Sequence, residues 1–359
     1  MNNKPKILLV IRSLAGRGGE RSVLTLAQGF YENGCEVHLL CFLSIQEYDL
    51  PTHFTYHLID IKKWYYKFFL TTSWRYKAIA RDLDHYISTN IGQPDLILSN
   101  LIQSNRILYF SDLNNIAYVI RNTFSKENEA LLKTNPNKVL NRYRQIYQKH
   151  PCVCVSKGVE NDLKQTLGEI GEVTTIYNAF DQKYMQQQAN EQTITESYIL
   201  HIGAFCYAKA HDILLKAYAM SSRKYPLYLL GKGELEQDIR KLIEQLGLRE
   251  QVKILGFNKN PYPFIKSAKA LILSSRYEGF VRVIPEAIAL GTPVISTNCP
   301  SGPSEILGTN NLVPVDDINA LSQKMTEVMN NPQAFKTPFN SEFLPQNIAK
   351  KYLEYFNIQ

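Results

Sequence analysis

Short, wholly apolar runs alternate along this chain with stretches whose apolar positions recur every three or four residues. Runs of the first kind suit strands buried on both faces, and those of the second suit amphipathic helices. Lys6–Ser13 reads as a strand, and Gly19–Asn33 as a helix with Val23, Leu26, Ala27 and Phe30 on one face. Glu36–Leu43 is a second strand and Ser73–Ile91 a second helix; Asp95–Asn100, Ala117–Asn122, Cys152–Ser156 and Val173–Tyr177 follow as short buried strands. A second series has strands at Ser197–Gly203, Leu227–Gly231, Val252–Gly256, Ala270–Ser274 and Pro293–Thr297. Its helices are predicted over His211–Arg223, Glu234–Leu246, Arg282–Leu290, Ile318–Met329 and Asn347–Phe356.

Strands that alternate with helices imply parallel sheets with crossover helices, an α/β chain. The segment after Phe180, DQKYMQQQANEQT, is polar and lacks either period, so the boundary between the two series is placed at 182–195. A length of 359 residues suits two domains better than one core. We therefore expect two doubly wound, Rossmann-like domains, 1–185 and 195–340, facing each other across a cleft. A last helix within 341–359 is expected to return to the first domain.

Composition narrows the class. The apolar share, 45%, is that of a globular protein, and no run reaches the length needed to cross a bilayer. The apolar start ends at Ile11, and Arg12 and Arg17 follow, which favours a first strand over an export signal and a cytoplasmic protein. The six cysteines are scattered with neither a CxxC pair nor clustered histidines, so buried free thiols are expected. A net charge of +7 is too small to imply a nucleic-acid partner by itself.

The charge is unevenly spread. Residues 62–81, KKWYYKFFLTTSWRYKAIAR, hold six basic residues, no acidic ones, seven aromatics and both tryptophans. Lys62, Lys63, Trp64, Lys67 and Trp74 are the candidates for an anionic membrane surface, which would place the protein peripherally on the inner face of the membrane. An irregular segment that packs its aromatics into the first domain is the other reading.

The segment most suggestive of chemistry is SRYEGFVRVIPEAIAL, Ser275–Leu290. Glu278 and Glu286 bracket a loop that turns into a helix, and Pro285 places the helix start near Val281–Val283. Backbone N–H groups of Phe280, Val281 and Arg282 would then face an anion, with Glu286 one turn inside to receive ribose hydroxyls and Glu278 before the turn to meet a sugar. Spacing alone favours a solvated Glu278 and an exposed helix-start Glu286 over the site reading.

EGFVRVIPEA resembles the E-x7-E signature of retaining GT-B glycosyltransferases, especially glycosyltransferase family 4. Other segments resemble the same family in the same order. Gly18-Gly19-Glu20 is similar to the loop after the first strand, and Ile202-Gly-Ala-Phe-Cys-Tyr-Ala-Lys209 to the segment opening the second domain. Gly231-Lys-Gly233, Ser301-Gly-Pro-Ser-Glu305, Val153–Val159 and Ile176–Asp181 complete the likeness over nearly the whole chain. It implies a first domain that binds the acceptor and a second that binds a nucleotide sugar. UDP is implied as the carrier ahead of GDP, and the acceptor as a lipid-linked, lipopolysaccharide or other surface glycan. A hexose or N-acetylhexosamine would be transferred with retention.

Charge on the departing β-phosphate must be met by a metal ion or by fixed cations and amides. The one DxD, Asp82-Leu-Asp84, falls in a helical pattern, so no metal or other cofactor is expected. Lys209 with amides at Gly18, Gly19, Gly203 and Gly279 is the expected set, with Gly231, Lys232 and Gly233 beside it. The family's arginine after the first glycine is here Ala204, and Arg282 or Lys232 are the substitutes in reach of the sequence argument. The first-domain histidine of many relatives is also missing; Val119-Ile-Arg-Asn122 puts Arg121 and Asn122 in its place, while His150 reads as structural. The base is expected near Phe257, Asn258 and Tyr262.

Three other classes compete. A nicotinamide-dependent oxidoreductase needs a GxGxxG spacing that Ala15–Glu20 does not keep. A GT-B sugar-nucleotide epimerase would need no acceptor, and a pseudo-enzyme would bind nucleotide without turnover.

Overall fold

The computed structural model describes residues 4–15, 18–47, 50–61 and 71–359. The chain forms two compact units, one of Met1–Phe180 with Ser341–Gln359 and one of Asp181–Asn340. Each is a parallel sheet wrapped by helices.

In the first unit the strands are β1 Lys6–Ile11, β2 Glu36–Cys41, β3 Thr55–Leu58, β4 Leu96–Asn100, β5 Ile116–Ile120, β6 Cys152–Cys154 and β7 Val173–Thr175. Their order is β3-β2-β1-β4-β5-β6-β7, all parallel. β1, β4 and β5 are buried almost throughout because helices cover both faces, which is why their sequences are continuous rather than alternating. Helix Gly18–Glu32 presents Val23, Leu26, Ala27 and Phe30 to this core, as its spacing predicts. Gly29 weakens that helix locally, but a Cβ there would lie 2.1 Å from the Pro345 carbonyl oxygen. The exchange allows the last helix, Pro345–Tyr355, to dock closely, with Tyr352 edge-on to Phe30 and Asn33 donating to the Gln346 carbonyl at 2.9 Å.

In the second unit the strands are β8 Ile199–Ile202, β9 Leu227–Leu230, β10 Val252–Gly256, β11 Ala270–Leu273, β12 Val294–Thr297 and β13 Leu312–Val313, in the order β10-β9-β8-β11-β12-β13. Leu214, Leu229, Ile272, Ile295 and Met325 lie in one buried cluster between this sheet and its helices. Both sheets reverse their winding beside their first strand, between β1 and β4 and between β8 and β11. Loops leaving the carboxyl ends of those strands diverge there and leave room for a ligand.

Several expectations need correction. The polar segment after Phe180 is not aperiodic: Gln182–Gln188 is helical, capped by the Asp181 carboxylate on the Tyr184 N–H at 2.9 Å. β5 ends at Ile120, so Asn122 stands in the loop beyond it rather than in the strand. Helices Leu101–Leu108, Pro136–Lys149 and Lys157–Leu167 went unread from the sequence, as did β3 and β13. The cysteines are free thiols, five of them buried. No helix of the described residues is long and apolar enough to cross a membrane.

Candidate active site

β8 and β11 lie side by side in register, Ala270 beside Ile199 and Leu271 beside Leu200, so their outgoing loops start as neighbours. The β8 loop runs Gly203 to the turn Tyr207–Lys209, and the β11 loop runs Ser274 to Glu278. Backbone bonds stitch them: the Arg276 N–H donates to the Ala208 carbonyl at 2.8 Å, and the Ser274 hydroxyl to the Lys209 carbonyl at 2.8 Å. This brings Lys209 and Glu278 together across 69 positions of sequence, with the Lys209 ammonium donating to Glu278 Oε1. Ser275 Oγ donates to the same oxygen at 2.6 Å. The Ser275 carbonyl is itself held by the Thr297 hydroxyl at 2.6 Å, from the end of β12.

Glycines wall this pocket for steric reasons. A Cβ on Gly203 would sit 3.1 Å from Cγ and Cδ of Lys209, displacing the lysine. A Cβ on Gly231 would lie 2.0 Å from the Gly203 carbonyl oxygen, and one on Gly233 2.4 Å from the Phe205 carbonyl oxygen. The Phe205 N–H donates to the Lys232 carbonyl and its carbonyl accepts from Leu235, which locks the two glycine loops together. Ala204, ahead of the turn Tyr207–Lys209, is exposed.

Behind Gly203 two buried histidines pack with ring centroids 4.6 Å apart, and His201 donates through Nδ1 to the Ile272 carbonyl at 2.9 Å. Burial, the neighbouring imidazole and Lys209 push the His201 pKa well down; burial and the Lys209 charge bring His211 to about 4. Both rings are therefore neutral near pH 7, and Lys209 is the cation of this corner.

The second glutamate is placed by the turn after Glu278. Helix Val283–Ala289 begins behind Arg282, and Glu286 is 4% exposed, which rules out the solvated helix-start reading. Arg282 Nη2 donates to Glu286 Oε1 at 3.1 Å, so this arginine is engaged with the carboxylate assigned to ribose. Gly302, at φ 118°, lies against the turn: a Cβ there would be 3.4 Å from the Val281 nitrogen. Lys232 lies over the ring of Phe257, which is half exposed, 4.8 Å from its centroid. Asn258 accepts from the Asn260 N–H at 2.9 Å and shapes the same loop. Tyr262, in contrast, is buried and packs edge-on against Tyr184, so its ring belongs to the core.

In the first unit, Gly18 and Gly19 start the helix after β1, and a Cβ on Gly19 would come 3.9 Å from Arg121 Cδ. Arg121 is buried, donating to Asn100 Oδ1 at 2.7 and 3.1 Å and to Asn178 Oδ1 at 2.6 Å. The end of β4 and the segment after β7 thus meet at the guanidinium carried just beyond β5, with the helix start after β1 beside its side chain. Asn122 is exposed and bonds to Glu127, which is exposed as well. His150 packs on Tyr118, and burial lowers its pKa to about 4, as befits a structural ring. Asp84 of the DxD accepts from Ser111 and the Asp112 N–H inside the fold. No cluster of three or more His, Cys, Asp or Glu side chains able to hold a metal occurs among the described residues. Lys62, Lys63, Trp64 and Lys67 lie outside those residues; Trp74, in helix Thr72–Asn90, is 63% exposed.

A doubly wound unit with glycine turns and a lysine–glutamate pair at its switch point is an architecture for a phosphorylated ligand. Residues 183–340 match the family described as glycosyl transferases group 1, and residues 16–184 match Glycosyltransferase Family 4. This chain belongs to the GT-B glycosyltransferases of the family 4 kind. It is 28% identical, over 92% of each chain, to the N-acetylgalactosamine-N,N'-diacetylbacillosaminyl-diphospho-undecaprenol 4-alpha-N-acetylgalactosaminyltransferase of Campylobacter jejuni. The lipopolysaccharide core biosynthesis glycosyltransferase LpsE of Rhizobium meliloti is 31% identical over 36% of this chain and 39% of its own length. Among solved structures, HepE of Anabaena in complex with UDP and glucose superposes with a TM-score of 0.77 at 17% identity, covering 99% of this chain and all of that one (100%).

Proposed function

We propose that this glycosyltransferase moves a hexose or N-acetylhexosamine from a UDP-sugar to a lipid-linked or lipopolysaccharide-type surface glycan, with retention and without a metal ion. The observation that carries the reading is the Lys209–Glu278 pair at the winding reversal of the second sheet, beside glycines that admit no side chain. In the proposed reaction the bond from C1 of the sugar to the β-phosphate oxygen breaks, an acceptor hydroxyl oxygen bonds to C1 on the same face, and the hydroxyl proton passes to the departing β-phosphate oxygen. Lys209 and the amides of the Gly279–Arg282 turn meet the charge that grows on the departing phosphate. Glu278 orients Lys209 through Oε1 and takes sugar hydroxyls through Oε2. Glu286, held by Arg282, takes the ribose hydroxyls, and the half-exposed Phe257 with Lys232 borders the base. In the first unit, the exposed Asn122 takes the polar contacts that a histidine makes in relatives, and Arg121, whose nitrogens donate to Asn100 and Asn178, positions the loop that carries it. The acceptor class rests on the undecaprenol-linked and lipopolysaccharide activities named for the relatives.

The test is a panel of UDP- and GDP-sugars scored by thermal shift, then by release of nucleoside diphosphate with a polyprenyl-diphosphate glycan acceptor. One UDP-sugar should stabilise the protein and release UDP, and the rate should hold in excess EDTA. Abolition by EDTA with rescue by magnesium or manganese would replace Lys209 and the amides with a cation as the source of charge compensation. Binding without turnover for every donor and acceptor would leave a nucleotide-binding pseudo-enzyme.

Association with the inner face of the membrane is part of the same proposal. The basic, aromatic window that ends in the exposed Trp74 helix supports it. Each basic residue near an anionic surface contributes about 1 kcal/mol. Reversing charge at Lys62, Lys63 and Lys67 should therefore weaken binding to phosphatidylglycerol vesicles and flatten its salt dependence, leaving turnover of a short water-soluble acceptor near the parent value. Equal vesicle binding by the parent and the variant would assign the window to packing.

A further inference from the structure

The side chain of Arg276, two residues before Glu278, joins four parts of the second unit. Its Nη1 donates to the Tyr207 carbonyl at 3.0 Å, in the turn that carries Lys209, and the guanidinium lies over the Tyr207 ring, 4.4 Å from its centroid. Nη2 forks onto both carboxylate oxygens of Asp212, at 2.8 and 3.1 Å, in the first turn of helix His211–Met220. Nε donates to Asp316 at 2.8 Å, in the loop after β13. All three nitrogens are thus used, and only 12% of the side chain remains exposed. Burial opposes ionisation of Asp212, but the hydrogen bond and charge of Arg276 outweigh it and hold the carboxyl below its usual range. No phosphate-binding role is open to a guanidinium so fully spent on the protein.

The geometry points to Arg276 as a positioning residue: it fixes the turn of Lys209 against the loop of Glu278, so that the ammonium is aimed before the donor arrives. This rests on the reading of Lys209 as the cation at the β-phosphate. The reason for a clamp is the local backbone. Lys209 ends a single turn of 3-10 helix and is followed by Ala210 in the left-handed region, φ 49°, so the turn has little rigidity of its own. A planar guanidinium that donates from each of its three nitrogens to a different partner fixes direction as well as distance. Lysine in its place would supply one point charge and no fork.

The test compares UDP and UMP binding by calorimetry in the parent, Arg276→Gln, Lys209→Ala and the double variant, with hydrogen exchange measured on each. UMP lacks the β-phosphate and serves as the control. Arg276→Gln should lose on the order of tenfold in UDP affinity and leave UMP affinity unchanged, because the loss acts through one charged contact. The double variant should bind UDP no more weakly than Lys209→Ala alone, the non-additivity expected of a residue that acts through another. Exchange should quicken in 207–212 and 275–278 and stay at the parent rate in β9 and β10. If Arg276→Gln misfolds, Asp316→Asn, which removes one exposed partner of the clamp, should show the same pattern at smaller size.

Equal loss for UDP and UMP, additive losses in the double variant, or unchanged exchange in those two segments would overturn the inference. A parent that binds UDP no better than UMP, or a Lys209→Ala variant that keeps parent UDP affinity, would instead overturn the donor reading. The exchange measurement alone then decides whether Arg276 holds the two loops together.

Discussion

Replacing Lys209 with alanine is expected to lower turnover by about a hundredfold or more, the effect of removing one fixed donor from developing charge. Two changes add in the same direction. The leaving phosphate loses its cation, and Glu278 keeps its negative charge with only Ser275 donating to Oε1. The neutral His201 and His211 behind Gly203 supply no replacement charge near pH 7. Exposed Ala204 has none to offer. Steady-state release of nucleoside diphosphate is the measurement, and a variant within threefold of the parent would remove Lys209 from the chemistry. Arg282→Ala separates the remaining cation. Because Arg282 pairs with Glu286, its loss should raise KM for the donor more than it lowers kcat. A collapse of kcat there would move the phosphate contact to the turn. If the parent is silent with every donor and acceptor and Ala204→Arg gains activity, the native chain is not an enzyme.

Glu286→Ala should cost about 2 kcal/mol or more of donor binding, roughly thirtyfold in affinity, as for a lost charged hydrogen-bond acceptor. Glu286 is 4% exposed and bonded to Arg282, so the substitution also strands a guanidinium in a largely enclosed place. A drop in thermal stability is expected with it. Affinity must therefore be read on folded protein, and UDP titration below the melting transition does that. Glu286→Gln keeps one acceptor oxygen and the shape of the helix, and should fall between parent and alanine. Parent-like UDP affinity in folded Glu286→Ala would detach the carboxylate from the ribose.

Most strands and long helices of this fold were legible because each carries its own period. Continuous runs such as Leu8–Ile11 and Leu271–Leu273 suit strands in a sheet covered on both faces, and their shortness and β-branched content set them apart from buried helix segments. The elements that were missed explain themselves in the same terms. Helix Gln182–Gln188 is almost wholly polar, with Met185 its one buried residue, so no apolar stripe marks it. Helix Pro136–Lys149 does bury one face, through Val139, Tyr143, Ile146 and Tyr147, but two of those four are tyrosines among basic neighbours, which makes the stripe faint. Tyr262, expected near the base, is 2% exposed, which no feature of its neighbouring residues announces.

The sequence alone carried the two α/β series, the glycine turns, and the glutamates on either side of a helix start. Each is encoded within a few neighbouring residues, as a period, a φ requirement or a proline in a first turn. Which strands lie side by side is not encoded that way, since any buried apolar strand presents the same backbone donors and acceptors to any other. Only the tertiary fold put β8 next to β11, and with that Lys209 against Glu278 and Arg276 against Asp212; its pairing of β8 with β9 on the other edge set Gly203 against Gly231. By spacing alone Glu286 is better explained as a helix-start charge, because a carboxylate one turn into a helix is favoured by the helix dipole whether or not anything binds it; only the fold buries it and gives it Arg282.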